Sequence, residues 1–184
     1  TLFPYTTLFR SAAMAGKGDA RLASLTLLAA QVDFAEPGEL ALFIDPSQLH
    51  LLESMMWNRG YLSADQMAGA FQLLRSNDLI WSFVIDNYMK GKDPAKFDLL
   101  FWNSDATRMP KNVHLFYLRE FYQHNRLAKG EMVIDNNKLD LGDVGIPIFM
   151  QAGETDHIAP HNSVYRTARL FASKGNRNVT YMLA

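Results

Sequence analysis

The residues best suited to chemistry lie in the stretch from Gly145 to Pro160, which reads GIPIFMQAGETDHIAP. A short apolar run over residues 146–150 is followed by Gly153 and then by Asp156 and His157. An apolar run bounded by turn residues predicts a strand that is buried on both faces, as in a parallel sheet. Because α/β folds place their chemistry at the carboxyl ends of such strands, Asp156 is a candidate catalytic carboxylate. The alternative is that Asp156 only caps the loop, since aspartate often hydrogen bonds to the backbone of its own turn.

Two histidines stand close to Asp156 in the sequence. His157 could serve as a base beside it, but neighbouring side chains at the end of a strand tend to point apart, so we interpret His157 as a histidine that stabilises the loop. Asp156, His157 and His161 could instead bind a metal ion. Pro160 interrupts any helical spacing of these side chains and no fourth ligand is evident, so we predict no metal site.

Polar and charged side chains elsewhere are weaker candidates. We interpret His50, His114 and His124, which lie in predicted helices, as surface or packing residues. Asp105 and Arg108 could pair and fix the irregular stretch around them, and nothing in the sequence indicates that they contact a substrate. The chain has no cysteine, which excludes disulfides, thiolate metal sites and a cysteine nucleophile within these 184 residues.

The composition bounds the class of protein. With 184 residues, 48% of them hydrophobic and 20% charged, the chain is expected to form one folded domain, or one domain with an inserted subdomain. A net charge of -1 argues against nucleic acid or an anionic membrane surface as partner, because both require clustered Lys and Arg. No apolar run approaches the roughly 20 residues that cross a bilayer, so we predict no membrane span. No cofactor is predicted.

Three apolar runs predict strands of a parallel sheet, at residues 22–32, 146–152 and 178–183. Residues 12–20 are predicted to be the end of a helix. Residues 1–11 lack the features of a signal peptide and match nothing downstream, so we interpret them as a non-native remnant.

Capping residues and apolar spacing predict the helices that separate these strands. The predicted helices begin at Asp45-Pro46, at the capping box Ser63–Gln66, at Asn77-Asp78, at Asn112 and at Ser163, and they end near Asn58, after Leu74, at Lys90, at Asn125 and at Lys174. Residues 94–110 are predicted to be irregular, and residues 131–141 to form a hairpin around Asn136-Asn137.

This order predicts an α/β core with a large helical insertion, or cap. The core is assigned to residues 12–36 and 145–184, and the cap to residues 37–144. Trp81 and Trp102 are most simply part of the cap interior. The alternatives are that they form an apolar wall that guides an acyl chain, or a subunit interface. Only three strands are present, so the chain is expected to be a fragment of a larger fold.

Several motifs in order resemble one enzyme family. They are ASLTLLAAQVDF at 23–34, NDLIW at 77–81, FDLLFWNSD at 97–105, HLFYLREFYQHNRL at 114–127 and DHIAP at 156–160. Together they resemble class I polyhydroxyalkanoate synthases, the poly(3-hydroxybutyrate) polymerases. The resemblance extends over residues 12–184.

The resemblance implies an α/β-hydrolase fold and an acyltransferase. It implies that an (R)-3-hydroxyacyl group passes from coenzyme A to a cysteine in a G-x-C-x-G-G elbow, and then to a growing polyester chain. The triad order would be Cys, Asp, His, with Asp156 as the triad acid. The resemblance also implies a cytoplasmic enzyme at the polyhydroxyalkanoate granule, with a homodimer through the cap as one arrangement.

This chain departs from the family pattern at two of the three triad positions. It contains neither a G-x-C-x-G nor a G-x-S-x-G elbow, and it ends before the Gly-His loop that follows the last strand in the family. We therefore expect the 184 residues alone to be inactive. The alternatives are a fragment of another α/β-hydrolase, such as a polyester depolymerase or thioesterase, and a non-catalytic module that associates with granules or dimerises.

Overall fold

The computed structural model describes residues 5–74, 76–93 and 108–184. Five α-helices occur in this part of the chain: α1 (Tyr5–Gly16), α2 (Pro46–Met56), α3 (Ala64–Leu74), α4 (Lys111–Tyr117) and α5 (His161–Phe171). The strands are β1 (Leu25–Leu28), β2 (Tyr61–Leu62), β3 (Met109–Pro110), β4 (Val133–Ile134), β5 (Asn137–Lys138), β6 (Ile148–Ala152) and β7 (Val179–Leu183). The molecule is therefore a mixed α/β protein.

The largest sheet has three parallel strands in the order β1-β6-β7. Met150 in the middle of β6 is paired with Leu27 of β1 and with Tyr181 of β7. The central strand alternates between buried residues, such as Met150, and half-buried ones, such as Phe149. The three predicted parallel strands are thus confirmed, with β6 in the most enclosed position.

Strand β1 is shorter than the apolar run that predicts it. The run spans residues 22–32, but only Leu25–Leu28 pairs with β6, because Ala29 adopts a left-handed backbone with φ 48. Leu27 faces the core, whereas Leu28 is 61% exposed. The expectation of a strand buried on both faces is therefore wrong for β1, whose second face is uncovered within the described residues.

Helix α1 begins earlier than predicted and includes part of the supposed remnant. Leu8 is fully buried and belongs to the same core cluster as Leu27 and Met150. The expectation that residues 1–11 match nothing downstream is therefore wrong at Leu8. Their non-native origin stays a prediction, because any segment with apolar residues at helical spacing can extend a helix.

Helix α5 packs against the parallel sheet as predicted. Val164, Ala168 and Phe171 are buried at helical spacing, and Gly175 lies past the end of the helix with φ 92. This spacing places all three side chains on one face of the helix. The predicted helix and the apolar residues on its face are confirmed.

Helices α2 and α3 begin with the capping signals read from the sequence. Pro46 is the first residue of α2, where its missing N–H costs nothing. Ahead of α3, Ser63 Oγ accepts a hydrogen bond from Gln66 N at 3.4 Å, and Gln66 Oε1 accepts one from Ser63 N at 3.2 Å. This reciprocal pair is a capping box. Met67 of α3 packs against a small cluster of Met56, Leu62 and Leu115.

The next helical stretch differs from its prediction at its start. It consists of two π-helical segments, Asn77–Trp81 and Val84–Met89, joined by residues in the α region. Ser76 is already helical, with φ -58 and ψ -34, and no side-chain cap is present. A cap requires a non-helical residue, so the predicted cap at Asn77-Asp78 is wrong. Gly91 follows the stretch with φ 66.

The helix after β3 continues past α4 as a π-helical segment, Leu118–Gln123. The predicted hairpin is present as β4 and β5, which pair antiparallel. Its turn residues are Asp135 and Asn136, with φ 49 and 59, rather than Asn136 and Asn137. Two successive positive φ angles are typical of a type I′ turn.

The chain divides into two compact units, Ser47–Leu115 and Thr1–Pro46 with Phe116–Ala184. The parallel sheet belongs to the second unit, whose core also includes Phe121, Leu127 and Leu139. The cap range of residues 37–144 stays a prediction. Of the predicted irregular stretch 94–110, residues 94–107 lie outside the described part. Within residues 5–74, 76–93 and 108–184, no helix is both long and apolar enough to cross a membrane.

Candidate functional site

The loop that contains Asp156 leaves the carboxyl end of β6, the central strand of the parallel sheet. Strand β6 ends at Ala152, and α5 begins at His161. The loop is fixed by its own backbone, since Asp156 N donates to Gly153 O at 3.4 Å. The sheet therefore places Asp156 at its carboxyl edge, as the sequence predicts.

Asp156 uses one carboxylate oxygen to hold this loop. Its Oδ1 accepts hydrogen bonds from Ile158 N at 2.8 Å and from Ala159 N at 2.9 Å. Within the described part of the chain, no hydrogen bond or ion pair reaches Oδ2. The carboxylate thus has a fixed orientation and one acceptor oxygen that remains available to a further group.

The end of strand β7 lies next to this loop. Ala184 N donates to Ala152 O at 3.0 Å, and Glu154 N donates to Ala184 O at 2.9 Å. The carboxyl ends of β6 and β7 are therefore adjacent. A residue that follows Ala184 in a longer chain would therefore start beside Glu154, which is two residues before Asp156 in the sequence.

The segment that follows β1 packs against the Asp156 loop. Glu39 N donates to His157 O at 3.0 Å. Gly38 has φ +79, and a Cβ at this position would lie 2.5 Å from His157 O and 3.0 Å from Ile158 O. Only glycine fits this close approach, because any side chain would overlap the loop.

Gln31 forms a second connection between the two segments. Its Nε2 donates to Ile158 O at 3.0 Å, and its side chain is buried. Sequence reasoning missed both Gln31 and Gly38. The available signal for Gln31 was an amide side chain near the end of the mostly apolar run LASLTLLAAQV. No local sequence signal indicated Gly38, because its role depends on a loop that is distant in sequence.

Asp33, two residues after Gln31, anchors a polar network beside the loop. Asp33 Oδ1 accepts from Ala35 N and from Asn125 Nδ2, each at 2.9 Å, and Arg166 Nε lies 2.8 Å from Asp33 Oδ2. Burial raises the pKa of Asp33, but the hydrogen bonds from Ala35 and Asn125 lower it, and the charge of Arg166 lowers it further. The net pKa lies below its usual value, so this carboxylate stays charged and structural.

The histidines do not form a catalytic or metal-binding group in the described part of the chain. His50 and His124 are exposed, and His114 is buried with Nδ1 2.8 Å from Met109 Sδ. Burial lowers the pKa of His114 and favours its neutral form. These positions confirm the interpretation as surface and packing residues. Among the described residues, no three His, Asp or Glu side chains are grouped to hold a metal ion.

A cluster of aromatic rings lies beside Gln31. The rings of Phe34 and Tyr122 are 4.3 Å apart, and those of Tyr117 and Phe121 are 5.2 Å apart. Burial raises the pKa of Tyr122 to about 12, against hydrogen bonds with Tyr117 and Gln31 that lower it. The phenol of Tyr122 is therefore neutral at physiological pH and cannot act as a base.

Trp81 lies in an exposed helical stretch, so its predicted position in the cap interior is wrong. Trp81 is 55% exposed and Tyr88 is 87% exposed. Trp102 and Asp105 lie outside the described residues. Arg108, which could pair with Asp105, has its guanidinium carbon 4.9 Å from the centre of the Tyr61 ring.

Comparison with known proteins connects this arrangement to one group. A poly(3-hydroxyalkanoate) polymerase of Methylorubrum extorquens is 50% identical over 184 residues, covering 100% of this chain and 29% of that protein. A poly(3-hydroxyalkanoate) polymerase subunit PhaC of Rhizobium meliloti is 49% identical over 170 residues, covering 92% of this chain and 27% of that protein. The PhaC subunit of Cupriavidus necator is 37% identical over 169 residues, covering 89% and 29%. No protein-family model matches the chain. The chain thus spans less than a third of the length of these curated relatives.

Proposed function

We propose that this chain is a segment of a poly(3-hydroxyalkanoate) polymerase, because two such polymerases are 49% and 50% identical to it, and that Asp156 is the acid of the catalytic triad in the complete protein. The observation that carries this proposal is the geometry of Asp156. It lies at the carboxyl edge of the central parallel strand, with Oδ1 held by two backbone amides and Oδ2 available.

The proposed reaction is the transfer of an (R)-3-hydroxyacyl group. A cysteine thiolate outside this chain attacks the thioester of (R)-3-hydroxyacyl-coenzyme A, forms an acyl-enzyme and releases coenzyme A. The hydroxyl end of another acyl unit then attacks the new thioester, which extends the polyester and frees the thiol. A histidine, also outside this chain, accepts and returns the protons, and Asp156 orients it and stabilises its cationic form.

The position of β7 supports this assignment. In the family, the histidine follows the last strand, and here the end of that strand is hydrogen bonded to the segment that leads to Asp156. A histidine shortly after residue 184 would follow a strand end that is hydrogen bonded to Glu154, two residues before Asp156. If Asp156 only closed its turn, Oδ1 would be sufficient, and Oδ2 would not need to be available at the carboxyl edge of the sheet.

We also propose an α/β-hydrolase core with a helical cap as the fold of the complete enzyme. The three parallel strands and the helix α5 that covers them support the core. The compact unit Ser47–Leu115 lies inside the range proposed for the cap, residues 37–144. Residues 116–144 pack into the core cluster through Phe121 and Leu139, so the cap would be anchored on the core side by this segment.

A non-catalytic role in association remains the second candidate, because one observation favours it. The side chains of Trp81, Tyr88 and Met89 expose large apolar areas. Such a surface suits contact with a granule or with a second subunit. A protein with this role needs no catalytic triad. A loss of polymerase activity on changing Asp156 would therefore favour the catalytic role over the role in association.

The proposal predicts that Asp156→Asn strongly slows coenzyme A release by the full-length polymerase. The amide keeps an oxygen for the two backbone donors, so the loop should persist, but it cannot stabilise a histidine cation. We expect kcat with (R)-3-hydroxybutyryl-coenzyme A to fall by roughly 10²- to 10⁴-fold with an unchanged melting temperature.

Asp140→Asn is the matched control for this experiment. Asp140 Oδ1 also accepts a backbone hydrogen bond, from Gly142 N at 2.8 Å, and Asp140 precedes β6, outside the proposed site. We expect near-normal coenzyme A release from this variant. Normal turnover by Asp156→Asn would remove Asp156 from the mechanism. The identity of the nucleophile in the full-length sequence tests the enzyme class separately. A serine in the elbow would identify a hydrolase instead of a synthase.

A further inference from the structure

Gln31 is a polar side chain in an apolar environment. It is 7% exposed and lies just beyond β1, between the buried residues Ala30 and Val32. Burying an amide is unfavourable unless its polar atoms are hydrogen bonded. Its Nε2 donates to the carbonyl oxygen of Ile158 at 3.0 Å. Ile158 lies 127 positions later in the chain.

The residue that Gln31 holds is the same one that holds Asp156. The carbonyl of Ile158 accepts from Gln31, and the amide N–H of Ile158 donates to Asp156 Oδ1 at 2.8 Å. Two hydrogen bonds therefore connect Gln31 to the carboxylate through one residue. A shift of Ile158 would move the donor that sets the orientation of the carboxylate.

We propose that Gln31 is a positioning residue for Asp156, acting through Ile158. The inference rests on the proposed role of Asp156 as triad acid and adds a residue of the segment after β1 that keeps this acid aligned. Gln31 would not contact substrate. It would fix the direction in which Oδ2 faces its histidine partner.

Neighbouring contacts support this role. The preceding carbonyl in the loop, that of His157, is held by Glu39 N at 3.0 Å. Two successive carbonyls of the loop are thus bound by the segment after β1, one by backbone and one by the Gln31 side chain. The other polar atom of Gln31, Oε1, is buried without a hydrogen-bond partner in the described part of the chain, so the bond from Nε2 to Ile158 fixes the amide.

A purely structural role for Gln31 makes a different prediction. If Gln31 only contributed to stability, its loss would lower the melting temperature and leave the chemistry of the folded enzyme unchanged. If it positions Asp156, its loss lowers kcat, and this loss disappears once Asp156 itself is disabled, because residues that act as one unit are not additive.

The experiment uses four variants of the full-length polymerase: Gln31→Met, Asp156→Asn, the double variant, and Asn176→Leu. Methionine matches the length of glutamine without a donor. Asn176 is the control, because its side-chain amide also donates to backbone carbonyls distant in sequence, those of Val144 and Ile146 at 2.9 Å, but these carbonyls precede β6, at the opposite end of the strand from Asp156. Coenzyme A release from (R)-3-hydroxybutyryl-coenzyme A and thermal unfolding are measured for each.

We expect Gln31→Met to lower kcat by roughly 10- to 100-fold with little change in KM, as misplacement of a catalytic group does. Asn176→Leu should keep the normal kcat, and the double variant should be no slower than Asp156→Asn. If Gln31→Met does not fold, Gln31→Asn provides the same test, because its amide is too short to reach Ile158.

The outcomes separate the two proposals. Normal kcat in Gln31→Met beside a slow Asp156→Asn would overturn the positioning role alone. Equal losses in Gln31→Met and Asn176→Leu, or additive losses in the double variant, would overturn it as well. Normal turnover in Asp156→Asn would overturn the proposed triad acid and the positioning role with it.

Discussion

At the residue scale, the two oxygens of Asp156 have different environments. Oδ1 accepts from two backbone amides, and Oδ2 has no partner in the described part of the chain. A capping role and a catalytic role are therefore compatible, because each uses a different oxygen. The local turn supplies the fixed orientation that a triad acid needs, so the two hypotheses drawn from the sequence describe one side chain.

Gly38 gives a prediction at the same scale. Its backbone has φ +79, and an added Cβ would lie 2.5 Å from His157 O. We expect Gly38→Ala to destabilise the protein by about 2–4 kcal/mol, because backbone strain is combined with a clash against the backbone of the loop. Urea denaturation measures this loss.

Gly60→Ala is the matched control for Gly38→Ala. Gly60 has φ +74, but a Cβ there would meet nothing within 4 Å. Strain alone should cost about 1–2 kcal/mol. An equal loss of stability in the two variants would show that the close approach between Gly38 and the Asp156 loop is unimportant.

At the element scale, helix α5 secures the backbone that leaves the sheet. Thr167 Oγ1 accepts from Val32 N at 2.8 Å and donates to Ser163 O at 3.0 Å, and Ser163 Oγ donates to Asp33 O. These hydroxyls are buried and pair with backbone groups that lie beyond the end of β1. The helix thereby holds the segment that in turn packs on the Asp156 loop.

The packing of α5 can be tested at Phe171. This side chain is fully buried in the core cluster, whereas Arg169 on the same helix is exposed. We expect Phe171→Ala to lower the free energy of unfolding by about 3–5 kcal/mol, since a large cavity would remain. Arg169→Ala should change it by about 0.5 kcal/mol or less. Similar effects of the two changes in urea denaturation would contradict this packing.

At the scale of the whole molecule, the chain spans less than a third of the length of the curated polymerases that it resembles. It covers 27% and 29% of the Rhizobium meliloti and Methylorubrum extorquens relatives. In the described part, strands β1 and β7 each have one neighbour, while β6 has two. The sheet can therefore be extended at both edges, as the proposed α/β-hydrolase core requires.

The flanking DNA provides the prediction at this scale. We expect the complete open reading frame to encode a cysteine in a G-x-C-x-G-G motif before residue 12, and a Gly-His loop shortly after residue 184. A cysteine would support the synthase and a serine the hydrolase, because the nucleophile defines the acyl-enzyme. Stop codons close to both ends of the 184 residues would contradict the fragment interpretation.

Local patterns in the sequence were sufficient for much of the architecture. The capping box at Ser63, the amphipathic face of α5 and the apolar run of β6 each depend on residues a few positions apart. Propensity and periodicity act over the same short range, so they predict such elements well. The same local patterns predict that Asp156 follows the carboxyl end of a buried strand.

Only the tertiary structure decided what surrounds Asp156. Gln31 and Gly38 lie more than 100 residues before the loop that they contact, and no local pattern specifies such a pairing. The exposure of Trp81 and the burial of Leu8 likewise depend on which distant surfaces meet them. The sequence by itself determined the elements and the position of the candidate acid, and long-range packing decided how that acid is held, because contacts between distant residues form only when the chain has folded.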